Sequence, residues 1–306
     1  MYKKFFGLRE NPFNVNPDPR YLFTTAHTEE ALSCLTYGIQ TRKGFVLLTG
    51  EVGTGKTTLI NKLLEWLHGR GVSTAFIFNS RLTEEQFFEF MVADFGISCD
   101  PRSKSHLLLN LNQWLLERYR AGGTAALIID EAQNLSRAVL EEIRLLTNLE
   151  TYTEKLLQII LSGQPELEEK LKRPDLRQLR QRITLRAKTY PLTREETGGY
   201  ITSRLRIAGC EAQVFTPDAI ESIHGYSKGI PRVVNLLCEH ALIGAFADQR
   251  KPVDRRIIDS VAEEFDLKDA EPPVSKTARA VAENPRLVEA IEGIVALMDR
   301  LRRTEE

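Results

Sequence analysis

The chain has 306 residues, 42% apolar and 27% charged, with a formal net charge of −1. These values are ordinary for a soluble protein with a full-sized core, and they argue against a surface coated in basic charge for obligate nucleic-acid binding, although a local patch stays open. The four cysteines, Cys34, Cys99, Cys210 and Cys238, stand singly with no CxxC pair or metal-ligand spacing, so free thiols in a reducing, cytoplasmic setting are expected.

The opening apolar stretch is broken by Arg9, Glu10 and Pro12, which does not suit a signal peptide. Apolar runs such as "FVLL" and "ALII" are far shorter than the roughly 18 residues of a membrane span. Proline and asparagine crowd residues 11–19, "NPFNVNPDP", so this lead-in is expected to be extended and turn-rich. Residues 28–42 carry helical spacing, and "GFVLLTG" reads as a buried strand ending in glycine. A helix over 56–68, a strand over 72–79, a helical stretch over about 83–120 and a strand over 125–130 follow. A helix over 137–150 then leads to a fourth strand, "LLQIILSG". Strands alternating with helices predict a parallel sheet covered on both faces.

Strand signals stop near Pro191. Thr193 with Glu196 forms a capping box opening a helix to about Ala208, and Thr216 followed by Pro217 starts another that ends near Gly225. Two more helices are expected over 231–247 and 254–265. The expected division is a lead-in with its first helix at 1–42, an α/β core at 43–190, an all-helical domain at 191–267, and a linker with a short amphipathic helix at 268–306. On that last helix Leu287, Ile291, Ile294, Met298 and Leu301 make one apolar stripe, fit either to pack on its own domain or to meet a partner.

The chemistry concentrates in two places. "GEVGTGKT", residues 50–57, fits G-x-x-x-x-G-K-[ST] between a buried strand and an amphipathic helix. Gly50, Gly53 and Gly55 let backbone N–H groups turn inward around phosphate oxygens, with Glu51, Val52, Thr54 and Thr58 completing the cradle. Lys56 is placed for the β- and γ-phosphates and the Thr57 hydroxyl for Mg²⁺. Second, "LIIDEAQ" at 127–133 puts Asp130 at the end of an apolar strand, able to order Mg²⁺, with Glu131 beside it as a general base for water. Alone, that pair could be two solvated acids at a strand end. With the P-loop it points to hydrolysis of a nucleoside triphosphate. No HExxH, GxSxG or nucleophile beside a histidine offers other chemistry.

The ordered motifs P-loop, "DEAQ", "SGQPEL", "LRQLRQRI" and "GIPR" followed by helices resemble the AAA+ ATPases. More narrowly, "FFGLRENPFNVNPDPRYLF", "LLTGEVGTGKTTL", "LEEIRLLTNLET" and "FTPDAIESIHGYSKGIPRVVNLLCEHAL" resemble the ExeA (general secretion pathway protein A) group and its MshM-like and exopolysaccharide-locus relatives, over about residues 2–265. The resemblance implies an α/β P-loop core with a small helical lid, and ATP as the nucleotide. It implies that Gln164 acts as a sensor for the γ-phosphate, with Ser162 the fallback and a plain turn residue the alternative. Arg232 matches a second sensor reaching from the lid, where the alternative is a solvated guanidinium. Pro12 and Phe13 flank the adenine or anchor the core.

The segment "DLRQLRQRITLR" holds Arg177, Arg180, Arg182 and Arg186 against Asp175 alone. Family position implies that one of them, Arg182 first, then Arg180, then Arg177, reaches into a neighbouring copy's nucleotide site, so that hydrolysis requires a homo-oligomer, ring or helical. A solvated basic face is the alternative. Two functions follow as expectations: an ATPase driving a cell-envelope assembly machine through a protein partner, with residues 285–303 as the candidate contact and the inner membrane as the place that partner draws it to, or a DNA-associated ATPase whose seven basic residues in 172–188 line a duplex. Longer ExeA-type proteins carry a membrane span and a peptidoglycan-binding region after the core, where this sequence has only the linker and one helix.

Overall fold

The computed structural model describes residues 2–78, 81–98 and 103–267. In chain order it runs α1 (Tyr2–Phe6), α2 (Ala26–Gln40), β1 (Phe45–Thr49), α3 (Lys56–His68), β2 (Ser73–Ile77), α4 (Glu84–Asp94), α5 (Lys104–Arg120), β3 (Ala125–Ile129), α6 (Arg137–Leu146), β4 (Leu157–Gly163), α7 (Pro165–Leu171), α8 (Arg177–Arg182), β5 (Leu185–Lys188), α9 (Arg194–Ile207), α10 (Pro217–Ser227), α11 (Pro231–Ala247) and α12 (Arg255–Glu264). Residues up to Val261 form one compact unit, and a second begins at Ala262. The linker and the amphipathic stripe expected after residue 268 lie outside the described residues.

The five strands are parallel in the order β2-β3-β4-β1-β5. Alternation sorts the apolar side chains to two faces. Val46, Leu48, Ala126, Ile128 and Ile160 pack against α2 and α3. Phe45, Leu47, Leu127, Ile129, Ile159 and Leu161 pack against α4 to α8. On α3 the buried positions Leu59, Ile60, Leu63 and Leu67 fall on one stripe, each worth about 1.5–3 kcal/mol of burial. The sheet order reverses at β1: from β1 the chain leaves for β2 at the far edge, and from β4 it crosses to β5 on the other side. Such a reversal opens a crevice at the carboxyl ends of the strands. Both the glycine-rich loop after β1 and the acidic residues after β3 sit at that end.

The expected parallel α/β sheet is present, with differences of detail, among them two short helices, α7 and α8, that were not expected after the fourth strand. A fifth strand, β5, pairs with β1 from Val46↔Leu185 to Thr49↔Lys188. It lies in the arginine-rich stretch, and its four-residue alternation at a sheet edge leaves only Leu185 and Ala187 as apolar signals. The single helical stretch expected over 83–120 is two helices, the first ending before Gly96, whose φ of +71° departs from the helix. The lead-in is non-helical over 11–18 as expected, but a short helix, α1, precedes it.

The C-terminal helices start where their caps predict. Thr193 and Glu196 exchange side-chain-to-backbone bonds at the head of α9, and Pro217 is the first residue of α10. α10 ends two residues later than expected, where Lys228 (φ +52°) and Gly229 (φ +75°) reverse the chain. A methyl at Gly229 would lie 1.9 Å from the Leu192 carbonyl oxygen, so only glycine fits this turn.

Between α9 and α10, His224 Nδ1 meets Thr197 Oγ1 at 2.9 Å. Burial, aided by Arg194 and Lys228, pushes the imidazole pKa below its ordinary 6.5. The folded state therefore disfavours the imidazolium, so this contribution is complete above about pH 6.5 and is lost as the pH falls through that value toward the folded pKa. The urea midpoint is expected to drop between pH 7.5 and 5.5, and His224→Gln to flatten part of that drop. Identical pH slopes in both proteins would remove His224 as a cause.

Candidate functional site

The loop Gly50–Gly55 joins β1 to α3 and is shaped by two glycines in the left-handed region, Gly53 at φ +79° and Gly55 at φ +94°. Gly50 answers to packing instead, since a methyl there would meet Thr189 Oγ1 at 2.0 Å. Thr189 follows β5 and shares a 2.7 Å hydroxyl contact with Thr54, so the strand missed in the sequence braces the loop from beneath. Gly55 caps α3 without any side-chain hydrogen bond. The first-turn N–H groups of α3 are thus left for an anion, favoured further by the helix dipole.

Lys56 is 5% exposed, and its ammonium donates to the carbonyls of Gly50 at 2.7 Å and Glu51 at 2.9 Å. Burial pushes its pKa down, opposed by the nearby Glu131 and Asp130 carboxylates. Asp130, 4% exposed, is fully engaged. Its Oδ1 accepts from Ser162 Oγ at 2.7 Å and from the Glu131 N–H at 2.9 Å, and its Oδ2 from Thr57 Oγ1 at 2.9 Å.

Glu131 itself adopts φ 51° and ψ 36°, a left-handed conformation costing a non-glycine residue about 1–2 kcal/mol. This turn carries its carboxylate away from Asp130 and toward β4. There Oε2 accepts from Gln164 Nε2 at 3.0 Å and from Gln133 Nε2 at 2.5 Å. Gln164 is the N-cap residue of α7 yet makes no side-chain capping bond. Its amide is directed to Glu131, and its N–H donates to Gln133 Oε1 at 3.1 Å. Gln133, two residues past Glu131, was not singled out from the sequence, although it closes the "DEAQ" signature.

A cleft of about 980 Å³ opens over this cluster, and Gly53, Lys56, Thr57, Glu131 and Arg232 are among the residues lining it. Arg232 enters from the first turn of α11, where its N–H donates to the Gly53 carbonyl at 3.2 Å. Its guanidinium has no ion-pair partner among the described residues. Asn14–Asp18 of the lead-in form another wall of the cleft. An adjoining pocket of about 610 Å³ is walled in part by Tyr21, His27, Tyr190 and Tyr200. Phe13 lies elsewhere: it is 1% exposed and packs edge-on against Phe215, ring centroids 6.1 Å apart, which is the core-anchoring alternative. The Pro12 carbonyl accepts from Arg204 Nε.

Arg177, Arg180, Arg182 and Arg186 are all exposed, line neither cavity and make no ion pair among the described residues. Asp175, the acid nearest in sequence, is held by Arg137 and Arg173, while the buried Leu176 and Leu179 fix this segment on the core.

The donor set fits a magnesium nucleotide. Uncapped helix N–H groups and a buried ammonium suit phosphates, and a threonine hydroxyl beside one carboxylate suits an ion that keeps most of its shell as water and phosphate oxygen.

A glycine loop between β1 and α3, an acidic strand end two strands away and an arginine brought in by a later helix together define a P-loop protein of the AAA+ class. The family model described as "AAA domain" matches residues 39–171. General secretion pathway protein A of Aeromonas hydrophila is 47% identical over 248 residues, covering 81% of this chain and 45% of that protein. The chain belongs to the general secretion pathway protein A (ExeA) family of AAA+ proteins, and it spans less than half of that relative's length. Among solved structures, the Aeropyrum pernix ORC2 protein, described as ADPNP-ADP complexes, superposes with a TM-score of 0.66 at 16% identity, over 88% of this chain and 74% of that one. Pyrobaculum aerophilum Cdc6p gives 0.65 at 18%, over 83% and 70%. The RuvB Holliday junction branch migration motor of Thermotoga maritima gives 0.55 at 16%, over 88% and 82%. At such identities the likeness is one of fold. Among the described residues no helix is long and apolar enough to cross a membrane.

Proposed function

We propose that this protein binds ATP in the P-loop cleft and hydrolyses it, with Mg²⁺, at the interfaces of a homo-oligomer, and that the cycle assembles or remodels a cell-envelope machine. The observation that carries this reading is that Lys56, Thr57, Glu131 and Arg232 line one cleft, with Asp130 and Gln164 bonded to Thr57 and Glu131, while the exposed arginines of α8 do not line it and make no ion pair among the described residues. The P-loop amides and Lys56 hold the phosphates, with Arg232 reaching them from the helices after residue 191, which act as a lid. Thr57 and Asp130 would hold Mg²⁺, which when bound neutralises charge on the phosphate oxygens. Glu131 takes the proton of the attacking water as the water oxygen bonds to the γ-phosphorus and the bond to ADP breaks. Gln133 and Gln164 fix the direction of that carboxylate, and Gln164 also meets the γ-phosphate. Arg182, or failing it Arg180 or Arg177, supplies the cation missing from each copy's own site by entering the next.

The envelope role is supported by the 47% identity to general secretion pathway protein A. A cytoplasmic protein recruited to the inner membrane by a partner fits it, and a contact through residues 285–303 falls outside the described residues. A second reading, a DNA-associated ATPase, is favoured by the seven basic residues of 172–188.

Steady-state ATP turnover measured against protein concentration separates the two. Specific activity that rises cooperatively with concentration and ignores duplex DNA supports the oligomeric envelope ATPase. Strong stimulation by DNA at low salt, lost at moderate salt, would give the arginine face to nucleic acid instead.

A further inference from the structure

Arg204 is a buried cation for which the chemistry above has no use. It lies on α9, is 6% exposed and makes no ion pair among the described residues. Its nearest acid influence is the Asp18 carboxylate of the lead-in, whose pKa is lowered chiefly by Arg20 and in smaller part by Arg204. A buried guanidinium is retained only where hydrogen bonds compensate its lost hydration. Here those bonds go to neutral groups of two separate segments. Nε donates to the Pro12 carbonyl, Nη2 to the Asn14 carbonyl at 3.4 Å, and Nη1 to Tyr200 Oη at 2.9 Å. The guanidinium also lies over the Tyr21 ring at 4.5 Å and the Tyr200 ring at 5.3 Å. Tyr200 Oη passes the link on, donating to Asn235 Oδ1 at 2.8 Å. Asn235 sits on α11 three residues after Arg232, and both line the P-loop cleft, as do Tyr200, Arg204 and Asn14–Asp18.

We propose that Arg204 is a positioning residue for the nucleotide: through its fork it sets the lead-in segment Asn14–Asp18 as a wall of the cleft and, through Tyr200 and Asn235, ties that wall to the helix carrying Arg232. The planar fork serves two carbonyls and a hydroxyl from three separate nitrogens in fixed directions, and a lysine supplies the charge and three donors but from a single nitrogen without that span. The lead-in has no secondary structure of its own over residues 14–18, so its place in the wall depends on such outside bonds. The Asn61 amide, donating to the Pro17 carbonyl at 2.7 Å, is another.

The inference rests on the nucleotide reading above and is tested on the full chain with Arg204→Lys and the milder Tyr200→Phe. The exposed Arg206 on the same helix, as Arg206→Ala, is the control. Arg204→Lys is expected to raise KM for ATP about tenfold, the scale of one hydrogen bond to a charged group, with kcat within about threefold of wild type. It is also expected to speed amide exchange over residues 13–18. Tyr200→Phe is expected to move KM in the same direction by a smaller factor, and Arg206→Ala not at all. A lowered melting temperature with KM unchanged in both variants overturns the proposal and leaves Arg204 purely structural. Should Arg204→Lys not fold, an unchanged KM in Tyr200→Phe overturns it by itself. Absence of ATP turnover in the wild type is a different result and sinks the nucleotide reading.

Discussion

Replacing Glu131 by glutamine is expected to lower ATP turnover by about 10²–10⁴-fold, the usual contribution of a positioned general base, while ATP binding stays intact. Among the acids of the cleft, Glu131 is the one suited to the task. Asp130 already accepts from Ser162, Thr57 and the Glu131 N–H, so its lone pairs serve the metal position and its own orientation. The Glu131 carboxylate is held at a single oxygen, Oε2, by Gln133 and Gln164, which leaves Oε1 for a water proton. Glutamine is isosteric and still offers one carbonyl oxygen to those two amides, so the loop should keep its form and the phosphates their cradle. Phosphate release and equilibrium binding of ATP, measured on the same preparation, separate the two effects. Wild-type turnover in Glu131→Gln would move the base to another residue. Loss of binding together with turnover would mean that the substitution had disturbed the loop.

How much of this could be read from the chain varied with how local the cause is. The P-loop and the acidic strand end are legible because each is a short stretch whose chemistry constrains consecutive residues: positive φ at Gly53 and Gly55, a buried strand before, a helix after. The continuous burial of β1, β3 and β4 is likewise dictated by side chains that must be apolar on both faces. β5 escaped because an edge strand needs so few apolar positions. The break between α4 and α5 was legible but overlooked, since Gly96 and, five residues on, Pro101 both interrupt the helical run. Phe13 could not be decided from sequence, since an aromatic ring beside a nucleotide and one in a core look alike until Phe215 is placed against it. Gln133 stood in plain view but has no signal except its distance from Glu131. Arg204 had none, because its partners Pro12 and Asn14 lie some 190 residues away.

The arginines of α8 give the other large effect. Arg182→Ala is expected to reduce turnover by about 10³-fold or more, as loss of a finger supplied in trans does elsewhere, with ATP binding by the isolated chain unchanged because Arg182 does not line its own cleft. The decisive experiment mixes two inactive proteins. In a mixed oligomer, an Arg182→Ala copy still has Glu131, and a Glu131→Gln copy still has Arg182. Where the second is seated against the first, one complete site is restored. Random assembly from equal amounts makes about a quarter of the interfaces of this kind in a closed ring, so activity is expected to return toward that fraction of wild type. A finger acting within its own chain gives no recovery at any ratio, because every chain then lacks one of the two groups. Recovery with Arg180→Ala and not with Arg182→Ala would pass the role to Arg180. The mixing result thus fixes both which arginine acts and on whose nucleotide, and it does so without knowledge of the envelope partner.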